Sequence, residues 1–154
     1  MTYRPGDPLI GFRITRQPAR MVLAAVVAFC RILDRLVFGM RIQGRELLDR
    51  TPRAILVSNH TLLLDPAVIA AVIHPRRTYF TVLEETARVK GLGTFVRLLG
   101  AIPLPPRPSA RDRLRSELAS AVAEAGYVHF FPEGECYQWS QVVHPLHRGA
   151  FQVA

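Results

Sequence analysis

No apolar run in this chain is long enough to cross a bilayer. The longest, Met21–Cys30, has ten residues, and a spanning helix needs ~20. No small-x-small cleavage site follows it, as one would follow the core of a signal peptide. Only two cysteines occur, Cys30 and Cys136, in unrelated contexts. That excludes a disulfide framework and fits a reducing compartment. Gly91-Leu-Gly93 lacks the third glycine and the preceding strand of a dinucleotide fingerprint. Ser58 lies outside any G-x-S-x-G elbow. His144, His147 and Cys136 give neither the ligand number nor the spacing of a zinc site, so no metal is expected. Trp139 and Tyr137 build no base-stacking ladder, and the basic residues are scattered, so no nucleic-acid partner is expected. There is no internal repeat and no low-complexity tract.

What remains is one compact domain's worth of chain: 154 residues, 49% hydrophobic, formal net charge +8. Of the 20 basic residues only Lys90 is a lysine. Residues 1–53 hold ten arginines against Asp7, Asp34, Glu46 and Asp49, a net charge of +6, and the rest of the chain carries +2. Such a basic third suits an anionic lipid surface, or is a composition bias without a partner.

Residues 1–18 carry Pro5, Pro8, Pro18, Gly6 and Gly11 and read as an irregular arm. Residues 19–39 read as one helix. It is apolar at its start, and from Arg31 onward Ile32, Leu33, Leu36 and Val37 share a face opposite Arg31, Asp34 and Arg35. With flanking arginines it is either a helix lying in a membrane interface or a core helix. The arm and helix form one unit, 1–39, and the remainder, 40–154, a second.

Met40–Gln43 alternates as a short strand, broken by Gly44. Arg53–Ser58 reads as a buried parallel strand. Asp65-Pro66 then opens a helix, with Asp65 suited to the N-cap and Pro66 to the first helical position, and His74-Pro75 ends it. Thr78–Leu83 is a strand. Thr86–Leu99 is a helix weakened by Gly91 and Gly93, and Gly100–Leu104 is a strand stopped by prolines. Ser109 and Asp112 resemble a capping box before a helix with Leu114, Leu118, Ala121, Val122 and Ala125 on its core face. Gly126 closes that helix and Tyr127–Phe131 is the next strand. The alternation predicts an α/β fold with a mostly parallel sheet flanked by helices.

Four short motifs could carry chemistry. In Asn59-His60-Thr-Leu-Leu-Leu-Asp65, a histidine follows a strand directly and an aspartate opens the next helix. Ligands of open α/β sheets gather at the strands' carboxyl ends. A histidine there can act as a general base, with a carboxylate fixing its tautomer. Phe131-Pro132-Glu133-Gly134 ends another strand at the same edge. Gly100-Ala-Ile-Pro-Leu-Pro-Pro-Arg107 holds one guanidinium in a stiff turn, suited to phosphate. His147-Arg148-Gly149-Ala150 places a cation beside a flexible turn.

In this order the four motifs resemble the lysophospholipid acyltransferase family, over about Met40 to Ala154 and including Arg41-Ile-Gln-Gly-Arg-Glu-Leu. Glycerol-3-phosphate and 1-acylglycerol-3-phosphate acyltransferases belong to it. The resemblance implies that His60 is the base and Asp65 its partner. It also implies that Glu133 and Gly134 belong to the acceptor site and that Arg107 contacts phosphate. Asn59, beside the histidine, is placed with the substrate-binding residues. The implied substrates are an acyl thioester donor, acyl-CoA or acyl carrier protein, and a lysophospholipid acceptor, with no cofactor. The implied setting is the cytoplasmic face of an anionic membrane. Three departures stand out. Glu135-Cys136 replaces the family's Thr-Arg, Pro106 takes the usual place of Arg107, and the chain stops before the family's fourth motif, as a C-terminally truncated copy would. These keep two alternatives open: an acyltransferase for a different lysolipid, or a non-catalytic membrane-surface module or inactive fragment.

Overall fold

The computed structural model describes residues 17–37, 39–91, 93, 94, 96, 100–104 and 111–152. Arg107, the Ser109 end of the capping box and most of the N-terminal arm lie outside these residues.

Four strands, β1 (Ala54–Val57), β2 (Arg77–Leu83), β3 (Ala101–Leu104) and β4 (Gly126–Phe130), form one sheet in the order β1-β4-β2-β3, all parallel. Helices join them: α3 (Asp65–Ile73) between β1 and β2, α4 (Glu84–Arg88) after β2, and α5 (Arg111–Ala125) before β4. α1 (Gln17–Leu36) and α2 (Arg45–Arg50) precede β1. The α/β architecture with a parallel sheet is as the alternation requires.

Strand alternation divides the core into two faces. Tyr79, Val128 and Phe130 turn toward α5 and pack with Ile102, Leu118, Ala121 and Ala150. Each large side chain fully buried there contributes about 1.5–3 kcal/mol. The residues between them, Phe80, Tyr127 and His129, are also buried and belong to the opposite face.

Several boundaries differ from the predicted ones. Met40–Gln43 is not a strand, and the six-residue α2 stands just beyond it. Tyr127 and Arg76 fix that helix: the Tyr127 hydroxyl donates to Leu48 O at 2.8 Å and Arg76 donates to Leu48 O and Tyr127 Oη. Thr86–Leu99 is not one helix, because α4 begins at Glu84 and ends at Arg88, and Gly91 then turns the chain at φ +83°. Pro103 does not stop β3 but lies inside it. β3 is one of the two edge strands of the described sheet, where a missing N–H on the outward side removes no ladder bond. α1 ends at Leu36, short of residue 39. Among the described residues no helix is long and apolar enough to cross a membrane.

Candidate active site

The site grows from the end of β1. The strand's pairing carries one residue further, Ser58 N donating to Phe130 O, and the chain then leaves the sheet at Asn59 and His60. Asp65 returns to meet it. One carboxylate oxygen, Oδ2, accepts from Thr61 N (2.8 Å) and Leu62 N (2.9 Å) and lies 2.9 Å from His60 Nδ1. Asp65 is thus the first helical residue, not the cap; Leu64 occupies that position. The short loop folds because this carboxylate gathers its N–H groups, and the same bond fixes the imidazole.

Burial alone would raise the Asp65 carboxyl. The His60 bond and the Leu62 and Thr61 N–H groups outweigh it and hold the carboxyl below its ordinary range. The aspartate is therefore ionised and fits a histidine carrying its proton on Nδ1, which leaves Nε2 for a substrate.

A second carboxylate ties two loops together. Glu133, only 3% exposed, accepts His60 N on Oε2 and His144 N on Oε1, each at 2.9 Å. Burial again pushes this carboxyl up, and the two backbone donors, helped by the nearby His144 and His60 charges, more than reverse the shift. Tyr137 N donates to His60 O and Trp139 N to Thr61 O, continuing the seam. Glu133 therefore sits beside His60 with both oxygens committed to the backbone.

Rings complete the support. Phe131 stacks on His60 at 4.1 Å and meets His129 edge-on at 4.5 Å, and Phe80 flanks His129. Gly134 has φ +76°, and a Cβ there would lie 3.0 Å from the His147 ring. The positive φ is what favours glycine at Gly134, since the exposed His147 ring can shift by the few tenths of an ångström that a Cβ would need.

His60 opens onto a cavity of about 470 Å³, a size usual for small-molecule sites. Its walls are mostly apolar, including Leu63, Leu64, Phe80, Val82 and Leu104. Cys136 also lines it. Burial, then the charges of Asp65 and Glu133, push its thiol up, so it stays protonated. A second hollow of about 1070 Å³ shares Phe131, Gly134 and Glu135 with the first and is lined further on by Glu133, His147 and Arg148.

Of the residues singled out in the sequence, His60, Asp65, Glu133 and Gly134 come together. Asn59 is exposed beside His60, and Arg107 lies outside the described residues. Arg148 joins the second hollow. His129 and His144 were missed as parts of this assembly. His129 could have been found by counting back two residues from Phe131, since alternate strand positions share a face. The N–H bond from His144 to Glu133 has no sequence signal.

His129 is buried, and its Nδ1 has no hydrogen-bond partner among the described residues. Burial first, with the nearby His60 charge second, pulls its pKa down to about 4 from 6.5, against a smaller opposing pull from Asp65. Between those values the unfolded chain holds a proton that the folded chain does not. Stability is therefore full above about pH 6.5 and falls toward pH 4, and protonation of Asp65 and Glu133 extends the loss at lower pH. Urea unfolding should show a lower midpoint near pH 5 than near pH 7, and His129→Phe should remove much of that difference. An unchanged difference in the variant would contradict this origin.

A family model described as Acyltransferase matches residues 39–154. No match was found among curated proteins or among solved structures.

Proposed function

The chain belongs to the Acyltransferase family, and on that premise we propose that it acylates 1-acylglycerol-3-phosphate or a related lysolipid, with acyl-CoA or acyl carrier protein as donor. The observation that carries this reading is the His60–Asp65 pair, 2.9 Å apart, at the mouth of an apolar cavity. The cavity suits an acyl chain, and the dyad suits removal of a hydroxyl proton.

In the proposed step His60 Nε2 takes the acceptor's hydroxyl proton as its oxygen attacks the thioester carbonyl. The new C–O bond forms, the C–S bond breaks, and the proton passes to the departing sulfur. Asp65 stabilises the imidazolium in between. A thiolate leaves readily, so the step needs no covalent enzyme intermediate. The protonated state of Cys136 agrees with that. Glu133 keeps the His60 backbone in place.

Among the described residues Arg115 and Arg148 are the arginines that line the hollow adjoining the His60 cavity, and we assign the acceptor phosphate to Arg148, next to His147 at the Gly134 turn. Arg148→Gln should raise KM for lysophosphatidate about 10- to 100-fold and leave a phosphate-free monoacylglycerol nearly unaffected. Equal effects on both acceptors would remove Arg148 from the phosphate site. Glu135, exposed and lining both hollows, favours a second reading in which the acceptor carries no phosphate. A panel of acceptors with and without phosphate, scored by kcat/KM, decides between them.

We also place the protein at the cytoplasmic face of an anionic membrane, where such acceptors reside. Supporting this is α1, whose Phe29, Ile32 and Leu36 are 62%, 59% and 76% exposed beside arginines.

A further inference from the structure

Far from His60, at the other end of α3, four arginines line one hollow. Asp65 opens α3, whereas the hollow's walls include Ala71 and Val72 in its last turns, about 10 Å along the axis. The hollow measures about 660 Å³ and is lined by Arg31, Arg35, Arg41 and Arg45, with Met40 and Ile42 among the apolar residues between them. Among the described residues that line it, none is acidic.

Two of these guanidinium groups are anchored. Arg31 donates through Nε to Ala71 O at 2.8 Å and through Nη2 to His74 O at 3.1 Å. Arg45 Nη2 donates to the same His74 oxygen at 2.9 Å. Sharing one acceptor keeps these two Nη2 atoms no more than about 6 Å apart. A guanidinium has five N–H donors, so both groups retain unused ones. Arg35 and Arg41 are exposed and have no partner among the described residues. Like charges held this close repel each other, and an anion between them converts the repulsion into attraction.

The surroundings indicate which anion. Ala25, Phe29, Ile32 and Leu36 recur at helical spacing on an exposed face of α1, and Arg31 and Arg35 flank it one turn apart. Val37 and Ile42, also exposed, continue the apolar surface to the hollow's edge. A soluble anion has no use for that apolar strip, whereas a bilayer covers it and brings phosphates to the arginines.

We propose that the hollow of Arg31, Arg35, Arg41 and Arg45 binds the phosphate of an anionic phospholipid while the apolar face of α1 lies in the bilayer interface. The inference rests on the membrane part of the proposed function and is independent of acyl transfer. Anchoring here would hold the protein on its substrate's surface and leave the His60 cavity free.

Sedimentation of the full chain with phosphatidylcholine vesicles, with and without phosphatidylglycerol, tests it. Arg35→Gln with Arg41→Gln should weaken binding to the anionic vesicles about thirtyfold. The charge-matched pair Arg53→Gln with Lys90→Gln, exposed residues outside the hollow, should weaken it less than about threefold. Circular dichroism checks that both variants fold. Equal losses from the two pairs would show diffuse attraction and overturn the site, and so would undiminished binding by the Arg35/Arg41 variant. If the unaltered chain ignores anionic vesicles, the membrane reading falls with the site. Acyl transfer, measured separately by thiol release, is touched by none of these outcomes.

Discussion

His60→Ala is expected to lower acyl transfer by about a thousandfold or more while leaving the folded chain intact. The two parts of that expectation have different origins. Transfer needs an acceptor for the hydroxyl proton, and alanine supplies none. The fold uses His60 mainly through its backbone, whose N–H donates to Glu133 and whose carbonyl accepts Tyr137 N. Alanine keeps both bonds. The lost stack on Phe131 and the lost Asp65 contact cost stability at a site that is part-exposed, and Asp65 retains Thr61 N and Leu62 N. Thiol release and thermal unfolding on the same preparation separate the two effects. A variant that is folded and fully active would remove His60 from the chemistry.

Glu133→Ala should show the opposite balance, a loss of stability first. It removes a shielded acceptor from two backbone donors at once, His60 N and His144 N. Hydrogen bonds to a charged acceptor contribute about 1.5–3 kcal/mol each. The segment lies near the molecular surface, and water can reach part of the gap, so the expected loss is about 2–4 kcal/mol. Activity should fall as well, because the backbone of His60 loses its tether. Glu133→Gln keeps one acceptor oxygen and should recover part of the stability. Denaturant unfolding measures both variants. An alanine variant as stable as the parent would contradict the tethering role.

These two residues also show how far a sequence can be read. His60 and Asp65 were legible because both lie within six residues, between a strand and a helix, and local chemistry alone brings them together. β1, β2, β4 and the helix at Asp65 were legible for the same reason, from apolar runs bounded by clear breakers. Glu133 was legible as a neighbour of His60 at the same sheet edge but not as a tether, since its partners are backbone groups whose positions depend on the whole sheet order. Met40–Gln43 alternated like a strand, but four residues carry too little pattern to compete with tertiary context. α4 stops at Arg88, and the left-handed turn at Gly91 follows, a conformation that composition permitted but did not require. The arginine hollow was invisible because Arg31 and Arg45 meet only at the end of α3.

The most direct test is thiol release from acyl-CoA by the chain in lipid, with lysophosphatidate added or withheld and product ester measured alongside. Release is expected to require the acceptor, yield one ester per thiol, and disappear with His60→Ala. Release that proceeds equally without an acceptor, or unchanged in that variant, would contradict it.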